Sequence, residues 1–132
     1  VNLFNEKNNG ETLLKLIDNN LIKSAHDVSL GGIITSVAKM CIKGNKGINL
    51  KMSKNLINEI EYFFAEDQGR YLIEIDQKDQ KKVADILNKN AVHFDELGTI
   101  NEDQLYINDK TKVTIDELKT SNTSWLINYM SK

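Results

Sequence analysis

Proline is absent from this 132-residue chain, while cysteine, tryptophan and arginine occur once each. Each scarcity excludes something. A lone Cys41 rules out an internal disulfide. A net charge of −2 leaves no basic footprint for nucleic acid. No apolar run approaches the roughly 20 residues that span a bilayer, and no secretory leader pattern opens the chain. The expectation is therefore a cytoplasmic protein with neither nucleic acid nor membrane as partner. There is no G-x-G-x-x-G fingerprint and no G-K-[ST] after a strand, so any nucleotide here is held by other means. What remains is ordinary for one globular domain: 40% hydrophobic and 27% charged residues. That length buries a real core but is short for an enzyme with two substrates. The chain begins with Val1 and not methionine, which points to a piece of something longer or to initiator removal.

Lysine and asparagine are heavily used, and every basic side chain except Arg70 is lysine. A guanidinium that survives such a drift marks a position where a planar fork is needed and an ammonium would not serve. Its surroundings are Phe64-Ala65-Glu66-Asp67-Gln68-Gly69-Arg70-Tyr71. The economical reading has Glu66 or Asp67 fixing Arg70 by charge-assisted hydrogen bonds. Gln68 and Gly69 would then present amides to a ligand or a neighbouring domain. Glu66 and Asp67 lack the opposed placement that glycosidase chemistry needs. They also lack an identifiable third metal ligand, so no metal site and no catalytic residue are assigned.

Periodicity orders the chain. A polar lead-in over Asn5–Gly10 precedes a helix from about Glu11 to Asn20, with Leu13, Leu14, Leu16, Ile17 and Leu21 recurring at helical spacing. Ile22–His26 reads as a short strand. Asp27 or Ser29 caps a helix carrying Ile33, Ile34, Val37, Ala38 and Cys41 and stopping near Gly44. Cys41 on that stripe is expected to be a buried packing residue. Gly47–Met52 alternates as a half-buried strand. Ser53 caps a helix striped by Leu56, Ile57 and Ile60, running to about Phe63. Tyr71–Ile75 is a strand, and Asp76 caps a helix through Val83, Ile86 and Leu87 to Asn90. His93–Ile100, Gln104–Ile107 and Lys112–Ile115 are short strands with Asn/Asp turns between them. His93 falls on a sheet surface. Asp116 begins a last helix ending in Trp125, Leu126, Tyr129 and Met130. This alternation implies an α+β fold, an α/β sandwich of one mixed β-sheet flanked by helices.

A second run, Ser24-Ala25-His26-Asp27-Val28-Ser29-Leu30-Gly31-Gly32, ends a strand in His-Asp and opens a helix on two glycines. Paired glycine costs about 1 kcal/mol each inside a helix, and is tolerable where something must come close. Either an anion docks at the free N–H groups, or the glycines let the helix pack tightly. Both readings stand. His26 and Asp27 are adjacent in an extended segment, so their side chains point to opposite faces and form no dyad. His26 is then a buried, hydrogen-bonded histidine more readily than a general base.

These runs in order carry a resemblance. His26-Asp27-Val28-Ser29-x-Gly31-Gly32, then Phe64-x-Glu66-Asp67-Gln68-Gly69-Arg70-Tyr71, then Leu97-Gly98-Thr99-Ile100 and Trp125-x-x-x-Tyr129-Met130, resemble the phosphoribosylformylglycinamidine synthase large-subunit family. The likeness runs from about Leu3 to Met130 and is to the C-terminal domain shared with aminoimidazole ribonucleotide synthase. It implies that residues 1–132 are a single C-terminal domain of a larger multi-domain synthetase subunit. The family's enzyme is a ligase of purine biosynthesis that converts formylglycinamide ribonucleotide, ATP and glutamine-derived ammonia to the amidine. ATP and magnesium belong to the N-terminal-type domains, and no cofactor is expected in this fragment, which alone would be inactive.

The implied partners are the N-terminal domains of the same subunit, a glutaminase subunit and a small accessory subunit. His26, Asp27, Ser29, Gly31, Gly32, Glu66, Asp67, Gln68, Gly69 and Arg70 are the implied ligand or domain-contact residues. Two positions depart from the family pattern. Asp67 replaces a serine, as suits a copy of the domain that no longer binds the ribonucleotide, and Leu30 replaces an acidic residue. The alternatives are the same domain type from aminoimidazole ribonucleotide synthase, or a free-standing module binding a phosphate-bearing metabolite.

Overall fold

In the computed structural model, residues 2–51 and 58–131 are described. The first helix, α1 (Leu3–Asp18), starts well before the expected Glu11. Asn2 caps it, its side chain accepting the Asn5 N–H at 3.1 Å. The polar lead-in is helical because its amides have work to do: Asn8 donates to the Asn90 carbonyl at 2.7 Å and Asn9 to the Gly69 carbonyl at 3.0 Å. Tertiary bonds thus override weak local propensity. The buried face of α1 is Thr12 and Leu16, while Leu14 and Ile17, expected on the apolar stripe, are exposed.

The chain divides into two units. One comprises residues 1–36 and 60–95, and contains α1, β1 (Ser24–Asp27), β3 (Tyr71–Glu74) and α4 (Gln80–Lys89). Its core is Leu16, Leu21, Val83 and Leu87, with Ile22, Ile73, Ile75, Ile86 and Val92 packed against it. β1 and β3 pair antiparallel, with Ser24 opposite Glu74 and Asp27 opposite Tyr71. Asp76 makes no capping bond. It pairs instead with Lys23 at 2.5 Å, and a 3-10 turn (Gln77–Asp79) leads into α4. Asn90 is the C-terminal cap as expected, its amide bonded to the Ile86 carbonyl at 2.8 Å.

The other unit comprises residues 37–59 and 96–132. Strands β2 (Gly47–Leu50), β4 (Gly98–Asn101), β5 (Gln104–Ile107) and β6 (Thr111–Thr114) form a mixed sheet in the order β4-β2-β5-β6. Only β2 and β5 run parallel. Asn108 and Asp109 take positive φ in the turn between β5 and β6, the left-handed backbone that Asn and Asp tolerate best. Helix α5 (Ile115–Met130) starts on a capping box: the Thr114 hydroxyl accepts the Glu117 N–H, and the Glu117 carboxylate accepts the Thr114 N–H.

Helices α2 (Gly32–Gly44) and α3 (Glu59–Phe64) have residues in both units. Along α2, Ile33, Val37 and Cys41 are buried as the periodicity predicts. In α3 it is Phe63 that is buried, while Ile60 is exposed; Ser53, Leu56 and Ile57 lie outside the described residues.

The α+β class holds, with two corrections. The expected single sheet is two sheets, because each strand is four residues long and its partner is decided by distant pairing that periodicity does not reveal. The expected strand from His93 is real only over Gly98–Asn101, and His93 sits exposed in a loop, 3.5 Å from Asp95. No helix among the described residues is long and apolar enough to cross a membrane.

Candidate functional site

Register builds the site. Because Asp27 at the end of β1 lies opposite Tyr71 at the start of β3, the loop leaving one strand and the loop entering the other meet at the same end of the ribbon. The Val28 N–H donates to the Arg70 carbonyl at 2.9 Å, extending the ladder by one rung. Ten sequence-predicted positions, His26 to Gly32 and Glu66 to Arg70, fall on these two strand ends and loops.

Glu66 crosses between the loops. Its Oε1 accepts the Gly31 N–H at 2.7 Å. Gly31 and Gly32 have φ of +83° and +68°, a backbone that side-chain-bearing residues rarely adopt. A Cβ on Gly32 would lie 2.6 Å from the Phe63 carbonyl oxygen and 2.8 Å from the Phe64 Cα. The glycine pair therefore serves a sharp turn and a close backbone approach, and the Gly31 N–H is already engaged by a carboxylate of the same chain. The Ser29 carbonyl accepts the Gly32 N–H at 3.0 Å.

Arg70 closes the second loop on itself. Its Nη2 donates to the Ala65 carbonyl and stands 3.4 Å from Asp67 Oδ2. Of the two carboxylates offered for this role, Asp67 takes it and Glu66 does not. Both interactions run through one nitrogen, so the contact is end-on and not fork-on-fork. Arg70 Nε is buried with no hydrogen-bond partner among the described residues. The guanidinium's charge is felt nearby: the Tyr62 phenol is raised by burial and by Asp95, with Arg70 pulling the other way.

His26 and Asp27 correct the alternation argument. The His26 Nδ1 faces the Asp27 backbone oxygen and lies 3.5 Å from its Oδ1. Beside the strand's last residue, Asp27, the His26 imidazole turns along the chain instead of away from it, and it is half-buried, not buried as expected. The Asp27 carbonyl also accepts the hydroxyl of buried Ser36 at 3.1 Å.

An open depression of about 390 Å³ is lined by Glu6, Asp27, Val28, Ser29, Leu30, Glu66, Gln68, Gly69, Arg70 and Tyr71. Glu6, and Asn9 through its bond to Gly69, are site residues that the sequence reading missed. The available signal was Asn2 as a cap with no proline after it. Chemically the site has carboxylates and one partly paired guanidinium. Among the described residues no three His, Cys, Asp or Glu side chains cluster to hold a metal. Cys41 is buried elsewhere, its thiol pushed up to about 11 by burial.

An α+β domain whose two strand-end loops are lashed by a glutamate–glycine bond and an end-on arginine is the class that fold and site define. The chain belongs to the family described as AIR synthase related protein, C-terminal domain, whose profile matches residues 1–110. It is 66% identical over 130 residues to phosphoribosylformylglycinamidine synthase subunit PurL of Pelagibacter ubique, covering 98% of this chain and 18% of that one. The same-named subunit of Thermococcus sibiricus is 34% identical over 120 residues, 88% of this chain and 16% of its own. The chain thus spans under a fifth of the length of these curated relatives. Among solved structures, T. maritima PurL complexed with FGAR superposes with a TM-score of 0.74 at 21% identity, covering 86% of this chain and 20% of that one. T. maritima PurL complexed with ATP gives 0.73 at 20% identity, over 85% and 21%.

Proposed function

We propose that this chain serves as the C-terminal domain of the synthetase subunit of a phosphoribosylformylglycinamidine synthase. That enzyme makes the amidine from formylglycinamide ribonucleotide, ATP and glutamine-derived ammonia. The single observation that carries the reading is the 66% identity across nearly the whole chain to one such subunit. In the proposed reaction the amide oxygen is phosphorylated and ammonia displaces the phosphate.

The residues present do not fit ATP or magnesium. Glu66 is held by Gly31, Asp67 lies against Arg70, and among the described residues no three His, Cys, Asp or Glu side chains cluster to hold a metal. The nucleotide and its metal are accordingly assigned to the rest of the subunit, and the glutaminase and accessory subunits to the complex in the cytoplasm. This chain's part is to brace. Glu66 and Arg70 fix the shape of two loops, so that His26, Asp27, Ser29 and Gln68 are presented from a preset surface to the neighbouring domains.

The test is a chimera in which this chain replaces the matched 130 residues of the Pelagibacter subunit. ATP- and glutamine-dependent amidine formation should survive the exchange, and the chain alone should turn nothing over. A folded but inactive chimera, or ATP consumption by the chain alone, overturns the proposal.

A further inference from the structure

From Thr120 to Ser131 the sequence carries no charged residue, in a chain that is 27% charged. The large apolar side chains of this run fall at 125–130, in the C-terminal half of α5, and they are exposed. Trp125 is 68% exposed, Ile127 64%, Tyr129 66% and Met130 75%. The Trp125 and Tyr129 rings stack at 5.6 Å with planes 12° apart, one helical turn from each other. A helix surface made for water alternates charges on its outer face, whereas depletion of charge with enrichment in Trp, Tyr and Met is the composition of an interface core. The helix is anchored toward its start, where Ile115 is buried, its N–H donates to the Asp103 carbonyl at 3.0 Å and Lys119 Nζ donates to Asn45 Oδ1.

We propose that this half of α5 is a docking face that lies in an apolar groove of another part of the same, longer polypeptide. The inference rests on the reading of the chain as one domain of a larger subunit. Trp125 and Tyr129 are the anchors of a helix-in-groove contact, with Leu126 and Met130 the parallel i, i+4 pair beside them. The groove is uncharged, and it offers acceptors to the indole N–H and the phenol, which need partners once dry. A lipid surface is the wrong occupant, because an interfacial helix draws on Lys or Arg along its polar face and this run has none. The polypeptide itself is the economical occupant. The relatives carry more than four-fifths of their length outside the matched region, since that region is 18% of one and 16% of another. Tethering also raises the local concentration of such a groove to about the millimolar range.

Amide exchange over 120–131 tests this, comparing the 132-residue chain alone with the intact chimera described above. Exchange should slow at least tenfold in the intact polypeptide, and the double variant Trp125→Ala/Tyr129→Ala should return it to the rate of the chain alone. Equal exchange in the two proteins overturns the inference, while an active chimera leaves the domain reading standing. An inactive chimera defeats the domain reading separately. Protection that appears in the chain alone and rises with its concentration, with dimers in sedimentation, assigns the face to a second copy and overturns the proposal. So does protection on adding neutral or anionic vesicles. The unmutated comparison stands even if the double variant does not fold.

Discussion

Glu66 and Gly31 lie thirty-five positions apart, yet a 2.7 Å bond from the glycine amide to the glutamate carboxylate joins their two loops. Replacing Glu66 by alanine should cost about 1 kcal/mol and speed exchange of the Gly31 amide, whereas glutamine should preserve most of the bond. Gly32→Ala should be worse, by about 2 kcal/mol or more, because φ is +68° and its methyl would meet the Phe63 carbonyl. Amide exchange and urea unfolding of the three variants check the order; a neutral Gly32→Ala would refute the close approach.

Arg70→Lys keeps the charge and can still reach one acceptor. The delocalised guanidinium, however, serves Ala65 and Asp67 together from one nitrogen while its Nε sits buried. An ammonium cannot reproduce that planar placement. In the intact subunit the swap should lower ATP-dependent turnover more than alanine at the exposed Lys81 or Lys82 of α4. Equal effects would remove the special standing of Arg70.

Thr12 is fully buried on α1, and its hydroxyl has no hydrogen-bond partner among the described residues. Thr12→Val keeps the shape and removes an unsatisfied oxygen. It should be neutral or stabilising by up to about 1 kcal/mol, read as an unchanged or raised melting temperature. A marked fall would mean that the hydroxyl is bonded after all.

Cys41 should behave as a packed side chain. With its thiol pushed up to about 11 by burial, thiolate is scarce at neutral pH and iodoacetamide should label the folded chain slowly, with speed returning in urea. Cys41→Ser should destabilise by about 1–3 kcal/mol. Labelling of the folded chain at the rate of a free thiol would contradict the burial.

Glu117 responds to pH. The Thr114 backbone N–H, and then its hydroxyl, hold the carboxyl below the usual carboxylate range. A group depressed on folding binds fewer protons folded than unfolded, so its contribution is complete above that range and is lost as pH falls through the lowered value. Acid should therefore loosen the start of α5, seen as faster exchange of the Glu117 amide, and Glu117→Gln should blunt the response.

The helical stripe of α2 and the Asn/Asp turns were legible because a 3.6-residue period and left-handed backbone both leave local marks. The start of α1 was legible only in its cap, Asn2, since Asn8 and Asn9 are stabilised in the helix by Asn90 and Gly69, far along the chain. The start of α5 could have been read, for Thr114-x-x-Glu117 is a capping signature in plain view. At the site, residue identities pointed to the two loops that the β1–β3 register brings together, but which carboxylate serves Arg70 depends on that register. Asp67 and Glu66 are chemically alike and adjacent; only the placement of Gly31 separates their jobs.

Asn90 closes a different circuit. Its carbonyl receives Asn8, its side-chain oxygen receives Lys15 at 3.0 Å, and its amide holds the last turn of α4 through Ile86. One side chain thereby latches the first helix to the fourth. Damage at Lys15 and Asn90 will not sum, because either change alone already removes the side-chain bond that they share.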